Sequence, residues 1–138
     1  MSKKKVFVSY DHSEDRHYKD LLRAWDANEN FDFEFDQRSP NEAIDSQNSG
    51  VIKQSLTKMM KEADYLLVII GKKSNDSKWM TWEIDRAKQD DTKLKLAAVK
   101  IDKSYTTPNG LLGIGTSFAL SFEQNSIVEA LNKATNNY

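Results

Sequence analysis

The chain has 138 residues, of which 38% are hydrophobic and 30% are charged, and its formal net charge is −1. These values predict one globular domain over residues 1–138, and they give no strong field to attract nucleic acid or a membrane surface. The lack of cysteine excludes disulfides, thiol nucleophiles and iron–sulfur sites. Because no apolar run is long enough for a signal peptide or a membrane span, we expect a cytoplasmic location.

The first half of the chain predicts two strands and two helices. Residues 6–10 are short, β-branched and aromatic, as in a first strand, and a D-x-x-E sequence at residues 11–14 begins a helix. Residues 31–36 alternate phenylalanine with acids, which favours an edge strand with one wet face. The two predicted helices have apolar stripes made of Tyr18, Leu21, Leu22 and Trp25, and of Ile52, Leu56, Met59, Met60 and Ala63.

The second half continues the alternation of strands and helices. Residues 65–71 are apolar throughout, which is typical of a central parallel strand covered on both faces. After this strand the sequence predicts a helix over about residues 78–89, a strand over 94–101 and a loop over 102–117. A short fifth strand over 118–122 and a last helix on Ile127, Leu131 and Ala134 complete the chain.

Such alternation predicts a three-layer α/β/α fold with a central parallel sheet. An edge second strand and a central third strand favour the flavodoxin-like order 2-1-3-4-5. In that order a ligand crevice lies between the carboxyl ends of strands one and three. We therefore expect residues 9–12 and residues 72–83 to line the two sides of a binding site.

Glu83 is the candidate catalytic residue in this crevice. It follows Trp79 by four residues, so both side chains lie on one helix face, and a carboxylate beside an aromatic wall suits a cationic or sugar-like ligand. A purely structural explanation is also open. Glu83 would then only interact favourably with the helix dipole, and Trp79 and Trp82 would only pack in the core.

Other chemistry is poorly supported. His12 and His17 are too few for a zinc site, so no metal is expected. Gly113-Ile-Gly115 lacks the third glycine and the preceding strand of a dinucleotide fingerprint. The third strand ends in Ile70-Gly71 and not in an aspartate, which argues against a response-regulator phosphoacceptor.

Three segments together resemble a TIR domain, and more narrowly the bacterial TIR-like proteins of Thoeris anti-phage defence systems. They are V-F-V-S-Y at residues 6–10 with acids close behind, Phe35-Asp36 at the end of strand two, and S-K-W-M-T-W-E at residues 77–83. The polar loop at residues 37–50 departs from the family pattern, because many members have a glycine soon after the aspartate that helps assembly.

The resemblance implies an enzyme that cleaves NAD at the nicotinamide–ribose bond and produces an ADP-ribose-derived signal in antiviral defence. It implies NAD as substrate with no cofactor, a separate effector protein that senses the product, and a possible homo-oligomer. Glu83 stands where the family has its essential glutamate. The implied substrate-binding residues are Ser9, Tyr10, Asp11, Asp36, Ser77 and Trp79.

Two other functions remain open at this point. A non-catalytic TIR-like adaptor would act through self-association or protein contacts and would turn over no NAD. A flavodoxin-like nucleotide-binding module without chemistry would purify with yellow FMN. The product, whether hydrolysed, cyclic or conjugated, depends on which nucleophile reaches the ribose and is not encoded in a recognisable motif.

Overall fold

The computed structural model describes residues 3–36 and 46–138, so most of the predicted polar loop at residues 37–50 lies outside the described residues. The described strands form one five-stranded sheet in the order β2-β1-β3-β4-β5, and every neighbouring pair is parallel. The predicted order and direction are therefore confirmed. The strands are β1 (Lys4–Ser9), β2 (Phe33–Asp36), β3 (Tyr65–Ile70), β4 (Lys95–Lys100) and β5 (Ser117–Ala119). The helices are α1 (His12–Asp26), α2 (Ser49–Lys61), α3 (Lys78–Ala87) and α4 (Gln124–Lys133), with short 3₁₀ helices at Ser74–Asp76 and Asn109–Leu111.

The sheet separates two apolar layers. Every residue of β3 is buried, which confirms the prediction of a central strand covered on both faces. Side chains alternate between the layers along each strand, so Val6 and Val8 face one layer and Phe7 faces the other. Helices α1 and α4 cover the first layer, and α2 and α3 cover the second.

The edge strand β2 is confirmed by its burial pattern. Phe33 and Phe35 are buried, whereas Glu34 between them is exposed. The outer backbone groups of Phe35 are occupied by side chains of α1. Asp26 Oδ2 accepts a hydrogen bond from Phe35 N at 2.9 Å, and an Arg23 guanidinium nitrogen donates to Phe35 O at 3.5 Å.

Two sequence predictions differ from the structure in detail. The fifth strand is Ser117–Ala119 and not residues 118–122, because a tight turn in which Glu123 N donates to Ser121 O at 2.9 Å leads into α4. Leu21 was predicted on the buried stripe of α1 but is 45% exposed. It lies about 100° around the helix from fully buried Leu22, at the border of the stripe.

No helix within residues 3–36 and 46–138 combines the length and the apolar character needed to cross a membrane.

Candidate functional site

The buried polar side chains of this protein concentrate at one end of the sheet. Apart from tyrosines, the buried polar or charged residues in the described part of the chain are Ser9, Asp15, Ser74 and Glu83. Ser9 ends β1, Asp15 lies in the first turns of α1, Ser74 follows β3, and Glu83 lies on α3. All four therefore belong to the carboxyl ends of β1 and β3 or to the helices that begin there, where open α/β sheets bind ligands.

Glu83 and Ser9 form the centre of this cluster. The Ser9 hydroxyl donates a hydrogen bond to Glu83 Oε1 at 2.7 Å. This bond joins two residues that are 74 positions apart in the chain. Glu83 is 2% exposed and Ser9 is fully buried. The other carboxyl oxygen, Glu83 Oε2, is buried and has no hydrogen-bond partner among the described residues. One oxygen is thus held in place, and the second is without a hydrogen-bond partner in the described residues.

The environment of Glu83 changes its acidity. Burial disfavours the charged form and raises the pKa of Glu83 to about 8, while the hydrogen bond from Ser9 acts in the opposite direction. At neutral pH the carboxyl is therefore mostly protonated in this conformation. A carboxyl group with a pKa near the operating pH, at the ligand-binding end of such a sheet, is typical of functional sites.

The loop between β3 and α3 is held by two serines. Ser74 Oγ accepts a hydrogen bond from Gly71 N at 2.8 Å and donates to Ile69 O at 3.1 Å, so it closes the turn directly after β3. Ser77 is the N-cap of α3, and its Oγ accepts from Met80 N at 3.2 Å. Because the cap sets where α3 begins, it also sets the direction in which Glu83 points.

Asp15 is the second buried carboxyl group at this end, at 5% exposure. Its carboxylate lies against Gly71 so closely that a methyl group at position 71 would overlap it. The absence of a side chain at Gly71 therefore allows α1 and the end of β3 to approach. Asp15 and Ser74 are not among the site residues predicted from the sequence. Asp15 has a detectable signal, since it continues the helical spacing of Tyr18, Leu22 and Trp25 toward the helix start.

The other predicted site residues lie around this cluster in different settings. Tyr10 is buried in the layer under α1 and α4, and Asp11 is half-buried, with its carbonyl oxygen accepting from Asp15 N at 2.8 Å. Asp36 is half-buried at the end of β2, opposite Phe7 on β1. The structure thus joins Ser9 directly to Glu83, keeps Tyr10 and Asp11 next in the chain, and places Asp36 on the neighbouring strand β2.

Trp79 lies one helical turn before Glu83 and is 9% exposed. It packs in the layer under α2 and α3, and its ring makes an edge contact with Trp82 at a centroid distance of 5.9 Å. Trp82 is only half-buried, and Lys53 Nζ lies 5.8 Å from its ring centroid. Trp79 therefore supports the position of α3 from inside the core in this conformation.

Within the described residues, no group of three or more His, Asp or Glu side chains is arranged to hold a metal ion. Lys72 and Lys73, which follow β3 directly, are exposed.

The chain was compared with protein families, with curated sequences and with solved structures. Residues 7–106 match the family model described as "Thoeris protein ThsB, TIR-like domain". No curated protein sequence matches the chain.

Among solved structures, the chain is similar to the TIR domains of the activated Roq1 resistosome that directly recognises the pathogen effector XopQ. The TM-score is 0.50 and the sequence identity is 16%. The similarity covers 71% of this chain and 57% of that chain, so the protein spans less than two thirds of the relative's length. This likeness shows a shared α/β fold.

Proposed function

This chain belongs to the Thoeris ThsB family of TIR-like domains, and on that premise we propose that it cleaves the nicotinamide–ribose bond of NAD, with Glu83 as the catalytic residue. The observation that carries this proposal is the buried Glu83 carboxyl group at the carboxyl end of the sheet. Ser9 holds one of its oxygens at 2.7 Å, and the other oxygen has no partner in the described residues.

The proposed reaction needs few protein groups. When the bond between ribose C1′ and the nicotinamide nitrogen breaks, the electron pair goes to nicotinamide, which leaves as a neutral molecule without protonation. The ribose that remains carries positive charge shared between C1′ and the ring oxygen, as in glycoside cleavage. A fixed carboxylate beside this charge stabilises the transition state. A nucleophile, such as water or a hydroxyl group, then bonds to C1′ and loses its proton.

Each polar group at the site has a role in this proposal. Glu83 Oε2, the oxygen without a partner, accepts a hydrogen bond from a ribose hydroxyl once the carboxyl group has lost its proton, while the Ser9 hydroxyl keeps the carboxyl group oriented. Ser77 fixes the start of α3. Tyr10, Asp11, Asp36 and Trp79 remain proposed substrate-binding residues. In this conformation Tyr10 and Trp79 are buried in the two opposite apolar layers, so binding through them also needs the site to open.

Activation follows from the burial of Glu83. At 2% exposure and with its pKa raised to about 8, the group is closed to substrate and mostly neutral. To act as a carboxylate it must be uncovered and lose its proton, and the positive charge of bound nicotinamide favours that loss. We therefore propose that the resting protein turns over NAD slowly, and that a conformational change during phage infection exposes Glu83.

The wider role rests on the family. We propose that the product is an ADP-ribose-derived nucleotide that signals to a separate effector protein in antiviral defence. The product is hydrolysed, cyclic or conjugated according to the nucleophile that reaches C1′.

The test is mass-resolved NAD turnover by wild type, Glu83→Gln and Glu62→Gln, both as purified proteins and in extracts of phage-infected cells. Glu62 is an exposed glutamate next to α2 and serves as the matched control. We expect nicotinamide release by wild type and Glu62→Gln, and a loss of roughly 10²–10³-fold or more in Glu83→Gln, by analogy with the removal of one transition-state-stabilising group. Turnover that survives in Glu83→Gln would assign the chemistry to another residue.

The alternative function is a non-catalytic adaptor. The observation that favours it is the burial of Glu83, which closes this carboxyl group to a substrate in this conformation. The adaptor function predicts no NAD consumption by any of the three folded proteins in either preparation. That result would reject the enzyme and leave the adaptor.

A further inference from the structure

A cleft of about 430 Å³ lies at the amino end of the sheet, away from Glu83. Its walls are residue 4 of β1, residues 63–65 at the start of β3, residues 92–95 at the start of β4, and residue 136 after α4. Clefts of roughly 300–1,000 Å³ hold small molecules, so this one has room for a ligand of nucleotide size. Because Glu83 belongs to the carboxyl end of the sheet, such a ligand leaves the proposed NAD site unoccupied.

Two lysines flank one aromatic ring across this cleft. Val6 on β1 pairs with Tyr65 on β3, and Tyr65 pairs with Lys95 on β4. Since side chains two residues apart share a strand face, Lys4 is on the same face as Val6, which is also the face of Tyr65. Lys95 shares that face, because it precedes Ala97 by two residues. Lys4 and Lys95 therefore lie two strands apart, roughly 10 Å across the sheet, with Tyr65 between them.

These two lysines are not neutralised within residues 3–36 and 46–138. Their ammonium groups have no ion-pair or hydrogen-bond partner there, and each lies over a ring instead. Lys95 Nζ is 5.4 Å from the ring centroid of Tyr65, and Lys4 Nζ is 5.7 Å from that of Phe33. A ring attracts a cation without cancelling its charge. Both positive charges thus act on a ligand that enters the cleft.

Lys93 adds a third positive charge at a backbone position that suits glycine. Its φ is 46°, and it is the single non-glycine residue with a positive φ in the part of the chain that the structure describes. Its N–H donates to Gln89 O at 2.8 Å in the turn after α3, where glycine is the usual residue. A lysine is disfavoured in this conformation, and such strained positions concentrate at functional sites. The ammonium group donates to Tyr138 O at 3.2 Å, which leaves two of its three N–H groups for a ligand.

The cleft is positive although the chain as a whole is not. Its three lysines give three positive charges and Asp64 gives one negative charge, a net charge of +2, whereas the whole chain has −1. The Asp64 carboxylate is turned toward β1, since its Oδ2 accepts a hydrogen bond from Lys5 N at 3.2 Å. Like charges gathered in one cleft repel each other, so an anion that binds among them removes that cost.

We propose that this cleft binds a small organic phosphate, a molecule of about nucleotide size with a terminal phosphate group. Such a group carries about −1.5 to −2 charge at neutral pH, which balances the charge of the cleft. Lysine ammonium groups bind phosphate as point charges. A nucleic acid requires an extended basic stripe, whereas here the positive groups converge on one concave site in a chain of negative net charge. This inference does not depend on NAD cleavage.

The first test is a titration followed by proton–nitrogen correlation NMR. The probes are AMP and ribose 5-phosphate, and the controls are adenosine, ribose and inorganic phosphate. We expect both probes to shift the signals of Asp64, Lys93 and Lys95 and to bind more tightly than inorganic phosphate, because they also fill the cleft. No shift of these signals up to about 10 mM probe would overturn the proposal. So would shifts confined to the carboxyl end of the sheet, or inorganic phosphate that binds as tightly as both probes.

The second test compares lysine variants by the dissociation constant of AMP. Lys4→Ala and Lys95→Ala each remove one ammonium group from an exposed position, so we expect binding to weaken about tenfold with the fold intact. The matched control is Lys103→Ala, which makes the same change of charge at an exposed position after β4, and it should bind as wild type does. Equal weakening in all three variants would reflect net charge alone and would overturn the proposal.

The third test separates the ammonium group of Lys93 from its backbone conformation. Glycine adopts a positive φ readily, so Lys93→Gly keeps the turn after α3 and removes the charge. We expect AMP to bind about tenfold more weakly and the circular dichroism spectrum to stay unchanged. Binding of AMP equal to that of wild type would overturn the assignment of Lys93 to the site.

Discussion

The polar residues at the two ends of the parallel sheet differ in their exposure to solvent. At the amino end, Lys5, Asp64 and Lys95 are exposed. At the carboxyl end, Ser9 and Glu83 are buried, together with Ser74 and Asp15. Exposed charges keep their hydration and cost little, whereas a buried carboxyl group with an unpartnered oxygen loses hydration without full replacement. The buried polar groups at the carboxyl end therefore contribute less to folding stability than apolar side chains of the same size would.

The largest expected loss of stability from a single substitution comes from crowding the carboxyl end. In Gly71→Ala, the new methyl group overlaps the Asp15 carboxylate, which is itself buried and must move to make room. We expect the free energy of unfolding to fall by about 3 kcal/mol, the upper range for overpacking a buried site. Urea unfolding measures this change.

The control for this prediction is Gly50→Ala. Gly50 lies on α2, and a methyl group there meets nothing within 4 Å. We expect it to raise stability by about 0.5–1 kcal/mol, because alanine favours a helix over glycine. A Gly71→Ala protein as stable as wild type would contradict the close approach of α1 to β3.

The next effect is a dependence of stability on pH. The pKa of Glu83 rises from an ordinary value of 4.5 to about 8 on folding. Between these values the folded protein holds a proton that the unfolded chain has lost, so the contribution of Glu83 to stability is complete below pH 4.5 and falls as the pH rises to 8. The slope is about 1.4 kcal/mol per pH unit at its steepest.

Comparison with Glu83→Gln isolates this contribution, because glutamine has a similar shape and does not titrate. We expect the stability of the variant relative to wild type to increase steadily from pH 5 to pH 8. Denaturation curves at several pH values measure the difference. Parallel pH profiles for the two proteins would mean that Glu83 is not held in its protonated form by folding.

A smaller effect is expected when the hydrogen bond to Glu83 is removed. Ser9→Ala leaves both carboxyl oxygens of Glu83 without a partner in the described residues, which costs about 1–3 kcal/mol. It also raises the pKa of Glu83 further, since the Ser9 hydroxyl favours the charged form. Urea unfolding together with the pH profile measures both changes. Ser55→Ala, at an exposed position of α2, is the control and should not destabilise the protein.

The smallest effect is expected at the amino end. Lys95 Nζ lies 5.4 Å from the ring centroid of Tyr65, and the lysine is exposed. Lys95→Ala should therefore change the free energy of unfolding by less than about 1 kcal/mol. Thermal melting measures this change. A loss as large as that of Ser9→Ala would remove the contrast between the two ends.

Local patterns predicted much of this architecture. The apolar run of β3 and the alternation in β2 identified the central and edge strands, because each pattern records how many faces of a strand are covered. The spacing of Trp79 and Glu83 placed both on one helix face, and both are buried. The short β5 and the exposed Leu21 were less predictable, since a few residues at the border of a pattern depend on the turn or helix beside them.

The sequence by itself determined the strand order, and it placed Glu83 on the helix that follows β3. Only the tertiary structure decided that Ser9 holds one oxygen of Glu83, that Asp15 fills the space beside Gly71, and that burial raises the pKa of Glu83 to about 8. The physical reason is that periodicity reports the exposure of each element separately. A contact between residues 74 positions apart, and the loss of hydration that accompanies it, depends on how the elements pack together.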